Sequence, residues 1–233
     1  SKSFIGLKAP IKLSLTKLFI LTFLIFLTTQ LFSQTIRVKG GLNLSKMHMV
    51  ADGDIVSDDY DFLTGYNVGV TSEFPISKIF SLETGLILNS KGFSNNESYE
   101  GFEYKEKIDL LYLDIPVTAK ASINVGDAKI YGTFGPYLGI ALKGKMTAEA
   151  SYEGETESSS QDISFGDGEE DDQIKRLDFG LTIGAGVEYK AISLGLSYGL
   201  GLANLSYDSD DDYDVMANNR VFAVTLGYKL FSN

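Results

Sequence analysis

The chain has 233 residues, no cysteine and a formal net charge of −11. Its length fits one domain, and the lack of cysteine excludes a disulfide framework, a thiolate metal site and a cysteine nucleophile. Its acidity argues against a nucleic-acid partner, because nucleic-acid binding calls for a basic surface.

Residues 1–33 have the features of a secretory signal peptide. An apolar run, Leu18–Leu27, is followed by the small residue Ser33. This run is shorter than the ~20 residues that a spanning helix needs, which favours a cleaved signal over an anchor. We expect a mature domain over residues 34–233 with a net charge of −15, because the signal carries lysines but no acid. The basic start consists of Lys2, Lys8, Lys12 and Lys17.

Eight segments of the mature chain alternate apolar with polar or small residues, the two-residue period of a β-strand. Each carries an almost unbroken apolar face and is longer than the usual strand of about 5–6 residues. Transmembrane β-strands have this length and pattern. We therefore predict an all-β fold, an eight-stranded antiparallel up-and-down transmembrane β-barrel. The segments are 36–44, 62–74, 80–88, 111–119, 130–142, 177–189, 192–202 and 222–230.

Long and short connections alternate between these segments. Outer-membrane barrels have long extracellular loops and short periplasmic turns. We expect the outer membrane of a Gram-negative bacterium, with both termini periplasmic and the long, acidic connections extracellular. The long connections are 47–61, 94–105, 144–173 and 206–217, and the short ones are 75–78, 124–127 and 190–191.

The alternative fold is a soluble eight-stranded barrel such as a lipocalin, which has its apolar face inside. Periodicity alone does not distinguish inside from outside. Bulky Tyr, Phe and Leu on one face, with Gly or Ser on the other, favour an apolar face toward lipid, because an eight-stranded interior has room only for side chains.

Four stretches carry a resemblance to a known family: "VKGGLNLSKM" (38–47), "LYLDIPVTAK" (111–120), "GPYLGIAL" (135–142) and "VTLGYKLF" (224–231). They resemble the PorT-like porin family of Bacteroidetes outer-membrane β-barrels, and Tyr112–Pro116 is the most specific part. The resemblance covers nearly all of residues 34–233. It implies an outer-membrane location and, from the founding member, a link to protein secretion by the type IX system.

Charged residues occupy the predicted inward face. They are either the lining of a charged pore or a packed polar core in which ion pairs satisfy every group. Buried charges are tolerated when they are paired, and the narrow interior favours the packed, plugged barrel. The candidates are Arg37, Lys39, Glu73, Glu83, Lys91, Asp114, Lys120, Lys129, Arg176, Asp178, Glu188 and Lys229.

The acidic connections raise the question of Ca²⁺, which prefers carboxylate oxygens. "DSDDDYDVMANN" places three aspartates at EF-hand spacing, but Tyr213 and Asn219 stand where that motif needs Gly and Glu, so the motif fails. Weak Ca²⁺ binding is retained as a candidate beside a solvated acidic loop. Titration calorimetry that shows no heat at millimolar Ca²⁺ would end this idea. The candidate ligands are Asp208, Asp210, Asp212 and Asp214.

The functional expectations follow from these features. The connection 144–173 is rich in Ser, Gly and Glu, so we predict disorder unless a protein partner orders it. The only histidine, His48, lies at a barrel rim and could pair with Asp52 or Ser57, but a lone histidine at a rim is more often incidental, so we expect no enzyme and no cofactor. The first hypothesis is a monomeric, non-enzymatic scaffold or interaction protein in outer-membrane lipid, accessory to secretion if the resemblance holds. The alternatives are a small porin for ions or small solutes, and a surface ligand or divalent-cation binder.

Overall fold

The computed structural model describes residues 34–51, 53–55, 60–99, 101–152, 155–166, 174–206 and 215–232. The predicted signal peptide, residues 1–33, lies outside the described residues. Among the residues that are described, no helix is long and apolar enough to cross a membrane.

Eight long strands run up and down in chain order. They have between 10 and 25 residues, so most extend beyond the apolar segments seen in the sequence. They are β1 (Thr35–Ala51), β2 (Leu63–Pro75), β3 (Phe80–Tyr99), β4 (Phe102–Val125), β5 (Ala128–Tyr152), β6 (Leu177–Tyr189), β7 (Ile192–Gly201) and β8 (Val215–Ser232).

The strands close into a ring. Each pairs antiparallel with the next along the chain, and β8 pairs with β1 from Thr35↔Ser232 to Ala51↔Val215, with one register shift between Ile36 and Arg37. Closure satisfies the backbone groups without water, as a bilayer requires. The predicted eight-stranded antiparallel barrel is confirmed.

The apolar side chains face outward. On β8, Leu226 and Tyr228 are 59% and 56% exposed, whereas Val221 and Ala223, on the other face of the strand, are buried. A soluble barrel would bury the large apolar residues and expose the charges. The opposite arrangement seen here excludes the lipocalin-like alternative and forms the apolar band of a membrane barrel.

Tight turns join the strands at one end, here called the short-turn end. The β4–β5 turn contains Gly126 at φ 60°, and the β6–β7 turn contains Lys190 at φ 55°, both in the left-handed region that tight turns use. In the β2–β3 turn the Ser77 hydroxyl oxygen accepts a hydrogen bond from the Phe80 amide at 3.0 Å. The opposite end is the long-connection end.

Two of the long connections contain more strand than expected. β3 and β4 meet as a hairpin across the stretch predicted as a loop over 94–105. In the connection predicted to be disordered, β5 continues to Tyr152, and the segment Glu155–Asp162 pairs with it antiparallel. The disorder prediction for 144–173 is wrong for residues 144–152 and Glu155–Asp162, because each strand finds a backbone hydrogen-bonding partner in its neighbour and the ladder does not require apolar side chains.

Candidate functional site

A network of four charged side chains crosses the barrel interior. The Arg37 guanidinium contacts Glu73 and lies 3.0 Å from Glu188, and the Lys120 ammonium lies 2.9 Å from Glu73 and also contacts Glu188. The residues come from β1, β2, β4 and β6, and their side chains are no more than 12% exposed. The Ser81 hydroxyl donates to Glu73 at 2.7 Å. The network links opposite walls of the barrel.

A further ion pair and an aromatic ring lie beside this network. The Lys39 ammonium is 2.5 Å from a Glu83 carboxylate oxygen. The Lys120 ammonium also lies 4.3 Å from the centroid of the Tyr131 ring, a cation–π contact. Every charged group of this set therefore has at least one oppositely charged partner.

A second network surrounds Lys91. Its ammonium lies 2.9 Å from Asp114 and 3.0 Å from Asp178. It also sits 4.5 Å from the ring centroid of Tyr137 and 4.7 Å from that of Tyr112. One lysine thus holds together side chains from β4, β5 and β6.

Asparagines, which are not among the predicted site residues, extend the Lys91 network. Asn89 donates to Asp114 at 2.7 Å, Asn43 donates to Asn89 at 2.5 Å, and Asn67 donates to Asn43 at 2.7 Å. Asn219, from β8, donates to Asp178 at 3.0 Å. The two-residue period of the sequence does place these asparagines on the inward face. Their hydrogen-bonding partners depend on the register of neighbouring strands, which the sequence does not give.

A small cavity of about 160 Å³ lies between the two networks. Gly195, Ser197 and Gly199 line its β7 wall, and the space remains because these residues have little or no side chain. The other charged and aromatic lining residues include Lys39, Glu83, Lys91, Asp114, Tyr131 and Tyr137.

An apolar cluster fills the interior toward the long-connection end. Ile163, Phe165 and Ile174, from the β5–β6 connection, pack on it. Tyr60 stacks on Phe93 with ring centroids 4.5 Å apart, and burial, with a smaller contribution from Glu106, raises the pKa of the Tyr60 phenol. We call this cluster the apolar cap. Its buried members on the barrel wall and rim are Met47, Phe93, Ile108, Leu110, Tyr112, Ala141, Ala203, Leu205 and Ala217.

The structure brings together nine of the twelve predicted interior charges. These are four cations and five carboxylates: Arg37, Lys39, Lys91, Lys120, Glu73, Glu83, Asp114, Asp178 and Glu188. The packed-core interpretation therefore describes this set better than an open charged lining.

The other three predicted interior charges lie outside these networks. Lys129 and Lys229 are half-buried toward the short-turn end, and neither forms an ion pair with another described residue. Arg176 is exposed, a correction to its predicted place in the interior. β6 begins only at Leu177, so the Arg176 guanidinium lies past the strand and donates to the Phe165 carbonyl oxygen at 2.7 Å.

The predicted Ca²⁺ ligands Asp208, Asp210, Asp212 and Asp214 lie outside the described residues. Within the part of the chain that is described, no group of three or more His, Cys, Asp or Glu residues could hold a metal ion. His48 lies on β1 opposite Asn218 of β8 and is half-buried.

A polar sheet projects from the long-connection end. The outward apolar positions of β5 end at Leu142, and β5 continues to Tyr152. At about 3.3 Å per residue, residues 143–152 span about 30 Å. The end of β3, the start of β4, the end of β5 and Glu155–Asp162 form four paired strands there. We call this the projecting sheet.

A row of aromatic side chains marks the tip of the projecting sheet. The register aligns Tyr99 with Phe102, and Phe102 with Tyr152. These side chains are 73%, 43% and 56% exposed. The next strand places Glu155 beside Tyr152. The tip therefore presents an aromatic patch with a carboxylate at its border.

The closed ring, outward apolar band and paired interior charges define an outer-membrane β-barrel protein. The chain belongs to the family of the outer membrane protein beta-barrel domain, whose model matches residues 32–207. This family is broader than the predicted PorT-like one, which stays a prediction. No curated protein matches the sequence.

Several solved outer-membrane barrels are similar to the chain. The attachment invasion locus protein Ail of Yersinia pestis is 16% identical over 85% of this chain and 99% of its own, with a TM-score of 0.32. Neisserial surface protein A is 11% identical over 84% and 97%, with a TM-score of 0.41. The N-terminal barrel of Pseudomonas aeruginosa OprF is 10% identical over 82% and 97%, with a TM-score of 0.25. At these values the likenesses assign no activity, ligand or partner.

Proposed function

We propose that the protein is a non-enzymatic outer-membrane scaffold that docks a protein partner on its projecting sheet. The observation that carries this proposal is the exposed row of Tyr99, Phe102 and Tyr152 at the tip. These aromatic side chains lie well beyond the apolar band, so lipid does not cover them. Exposed aromatic patches mark interaction sites, and Tyr is frequent among the residues that dominate binding energy.

Charge around the row indicates the chemistry of the partner. Glu97, Glu155 and Glu157 are exposed on the projecting sheet, whereas Glu103, also exposed, lies 4.0 Å from the Lys105 ammonium. The strand Glu155–Asp162 pairs with β5 on one side and with no other described strand on its second side. An extended, basic segment can add to such an edge through backbone hydrogen bonds and complement the carboxylates.

The proposed orientation puts the projecting sheet outside the cell and both termini in the periplasm. The support is the outer-membrane family together with the usual placement of short turns on the periplasmic side. The resemblance to the PorT-like family supports the finer proposal that the partner belongs to a protein-secretion apparatus.

Site-specific cross-linking in intact cells tests docking and orientation together. The chain has no cysteine, so Ser159→Cys places a unique thiol on the edge strand of the projecting sheet. A membrane-impermeant, thiol-reactive photo-cross-linker should join it to one partner at stoichiometric yield. In the same S159C background, the triple variant Y99S/F102S/Y152S should lose that product, and Y99F/F102Y/Y152F should keep it.

The control thiol is Asp127→Cys in the β4–β5 turn, which should react only after the outer membrane is permeabilised. If D127C reacts in intact cells and S159C does not, the orientation of the barrel is the opposite of the one proposed. A reactive S159C that gives no product, or a product that survives Y99S/F102S/Y152S, would contradict docking at the aromatic row.

A small porin is the second candidate, and the cavity of about 160 Å³ is the observation in its favour. The apolar cap and the network of Arg37, Glu73, Lys120 and Glu188 fill the interior on either side of this cavity. The closed scaffold accounts for both features, so it is the preferred function.

A further inference from the structure

A row of exposed side chains lies on the lipid-facing surface beside the β6–β7 turn. The register aligns Tyr189 with Ile192 and Ile192 with Tyr228, and each of these side chains is half exposed or more. We call them the boundary row. Tyr189 ends β6 and Ile192 begins β7, so the row is the last outward level of the apolar band on these two strands. The turn residues Lys190 and Ala191 follow at the level of the lipid headgroups.

The turn holds a lysine in a backbone conformation that other residues adopt at lower cost. Lys190 has φ 55° and is the only residue other than glycine with a positive φ in the described part of the chain. Glycine is the usual residue in this left-handed region, and asparagine and aspartate are enriched there. A side chain held in a costly conformation points to a use for it. What the Lys190 side chain adds at this place is a positive charge.

Two further lysines border the turn, one on each side. Lys129 of β5 is directly opposite Glu188 of β6, two positions before Lys190. Lys229 of β8 donates its backbone N–H to the Ala191 carbonyl oxygen at 2.8 Å. The side chains of both lysines are half-buried. The β6–β7 turn therefore lies within a group of three cations.

Carboxylates do not neutralise these three lysines. None of the three forms an ion pair with another described residue. The Lys190 ammonium lies 5.2 Å from the centroid of the Tyr189 ring, a cation–π contact that leaves its charge in place. Glu188 already pairs with Arg37. Asp127, in the β4–β5 turn, is the one exposed carboxylate among the described residues of the short-turn end, so the region around the β6–β7 turn carries a net positive charge.

We propose that the β6–β7 turn binds an anionic phospholipid, with Lys190 on the phosphate group and the acyl chains on the boundary row. Lys129 and Lys229 add positive potential around the headgroup, and each cation near an anionic lipid surface favours binding. Tyrosine rings concentrate at this boundary, because one end of the ring is apolar and the other is wet. The boundary row selects a lipid over dissolved phosphate, and the net positive charge selects an anionic lipid over phosphatidylcholine.

Quenching of a single tryptophan by brominated lipid tests this site. The chain has no tryptophan, so Tyr228→Trp places a unique reporter in the boundary row. The full chain is reconstituted in phosphatidylcholine vesicles that contain brominated phosphatidylglycerol or, at the same mole fraction, brominated phosphatidylcholine. Brominated phosphatidylglycerol should quench this reporter more strongly. Leu86→Trp, on the lipid-facing surface of β3, is the control reporter, which the two brominated lipids should quench equally.

Variants at the turn separate the role of the charge from that of the fold. Asparagine accepts the left-handed conformation, so Lys190→Asn should leave the barrel at least as stable to urea. In the Y228W background it should lower the association constant for phosphatidylglycerol relative to phosphatidylcholine about fivefold, because one cation near the lipid surface is lost. Lys190→Arg should retain the preference. Lys78→Gln, which removes an exposed cation from the β2–β3 turn, should leave it unchanged.

A second reporter in the boundary row, Ile192→Trp, ensures that the result does not depend on Tyr228. Equal quenching by the two brominated lipids at both boundary-row reporters would overturn the proposal. So would the same preference for phosphatidylglycerol at Leu86→Trp, or a preference that survives Lys190→Asn. Loss of the preference in millimolar inorganic phosphate at constant ionic strength would also overturn it, because the site would then bind free phosphate.

Discussion

The Asp178 carboxylate shows how single residues stabilise the barrel interior. It is 0% exposed, and it accepts hydrogen bonds from Lys91, Tyr137 and Asn219, each from a different strand. A buried charge is tolerated only while its partners remain. Asp178 is therefore a structural centre of the interior.

Replacement of this carboxylate tests the paired-charge account. Asp178→Ala leaves Lys91 with one carboxylate partner instead of two and should lower the free energy of unfolding by about 3 kcal/mol. Urea unfolding in lipid vesicles measures this free energy of unfolding. Asp162→Ala, which removes an exposed carboxylate from the projecting sheet, should change the free energy by less than about 0.5 kcal/mol. A small loss for D178A would mean that the network adds little to stability.

At the residue scale, the sequence predicted the inward face that the structure shows for all of these charges except Arg176, but not which charges meet. Inward placement follows from the two-residue period alone. The meeting of Lys91 with Asp178, which are 87 positions apart, depends on the stagger of strands around the ring. Asn43, Asn67 and Asn89 were missed for the same reason, since an amide becomes important only through the partner that the register supplies.

At the element scale, backbone pairing governs how far the strands run. The predicted strands end where their apolar face ends, because the bilayer no longer favours apolar side chains beyond that point. β4 and β5 continue as a paired ladder between Tyr104–Ala150 and Ile108–Met146. The projecting sheet was therefore not predicted, because its strands are long without an apolar face.

Close contact between β3 and β4 puts a glycine under strong constraint. Gly92 has φ 141°, and a Cβ there would lie far inside van der Waals contact with the Ile108 carbonyl oxygen. Gly92→Ala should therefore destabilise the barrel by about 2 kcal/mol or more. At Gly40, on the outward face of β1, the nearest atom to an added Cβ is 3.9 Å away.

Gly40→Ala is the matched control and should leave the unfolding midpoint close to that of the wild type. The same urea series measures both variants. Equal unfolding midpoints for G92A and G40A would show that β3 and β4 can move apart at Gly92 with no loss of stability. That result would contradict the register described.

At the scale of the whole molecule, strand number, antiparallel order and the alternation of connections were predictable from sequence. The side of the wall that faces lipid was inferred only from residue size, and the exposed Leu226 and Tyr228 decide it. The contents of the barrel were not predictable in the same way. The apolar cap combines residues from the wall with Ile163 and Ile174 from a connection, and no local pattern joins those positions.

The outer-membrane barrel is closed by its own side chains, and we propose that its function lies outside the bilayer. Single-channel recording of the purified full chain in a planar bilayer is the most direct test of the closed interior. We expect a flat baseline with no stable conductance steps in molar KCl, because paired charges and the apolar cap fill the interior. Reproducible steps from the wild-type barrel would contradict it and make the small porin the better description.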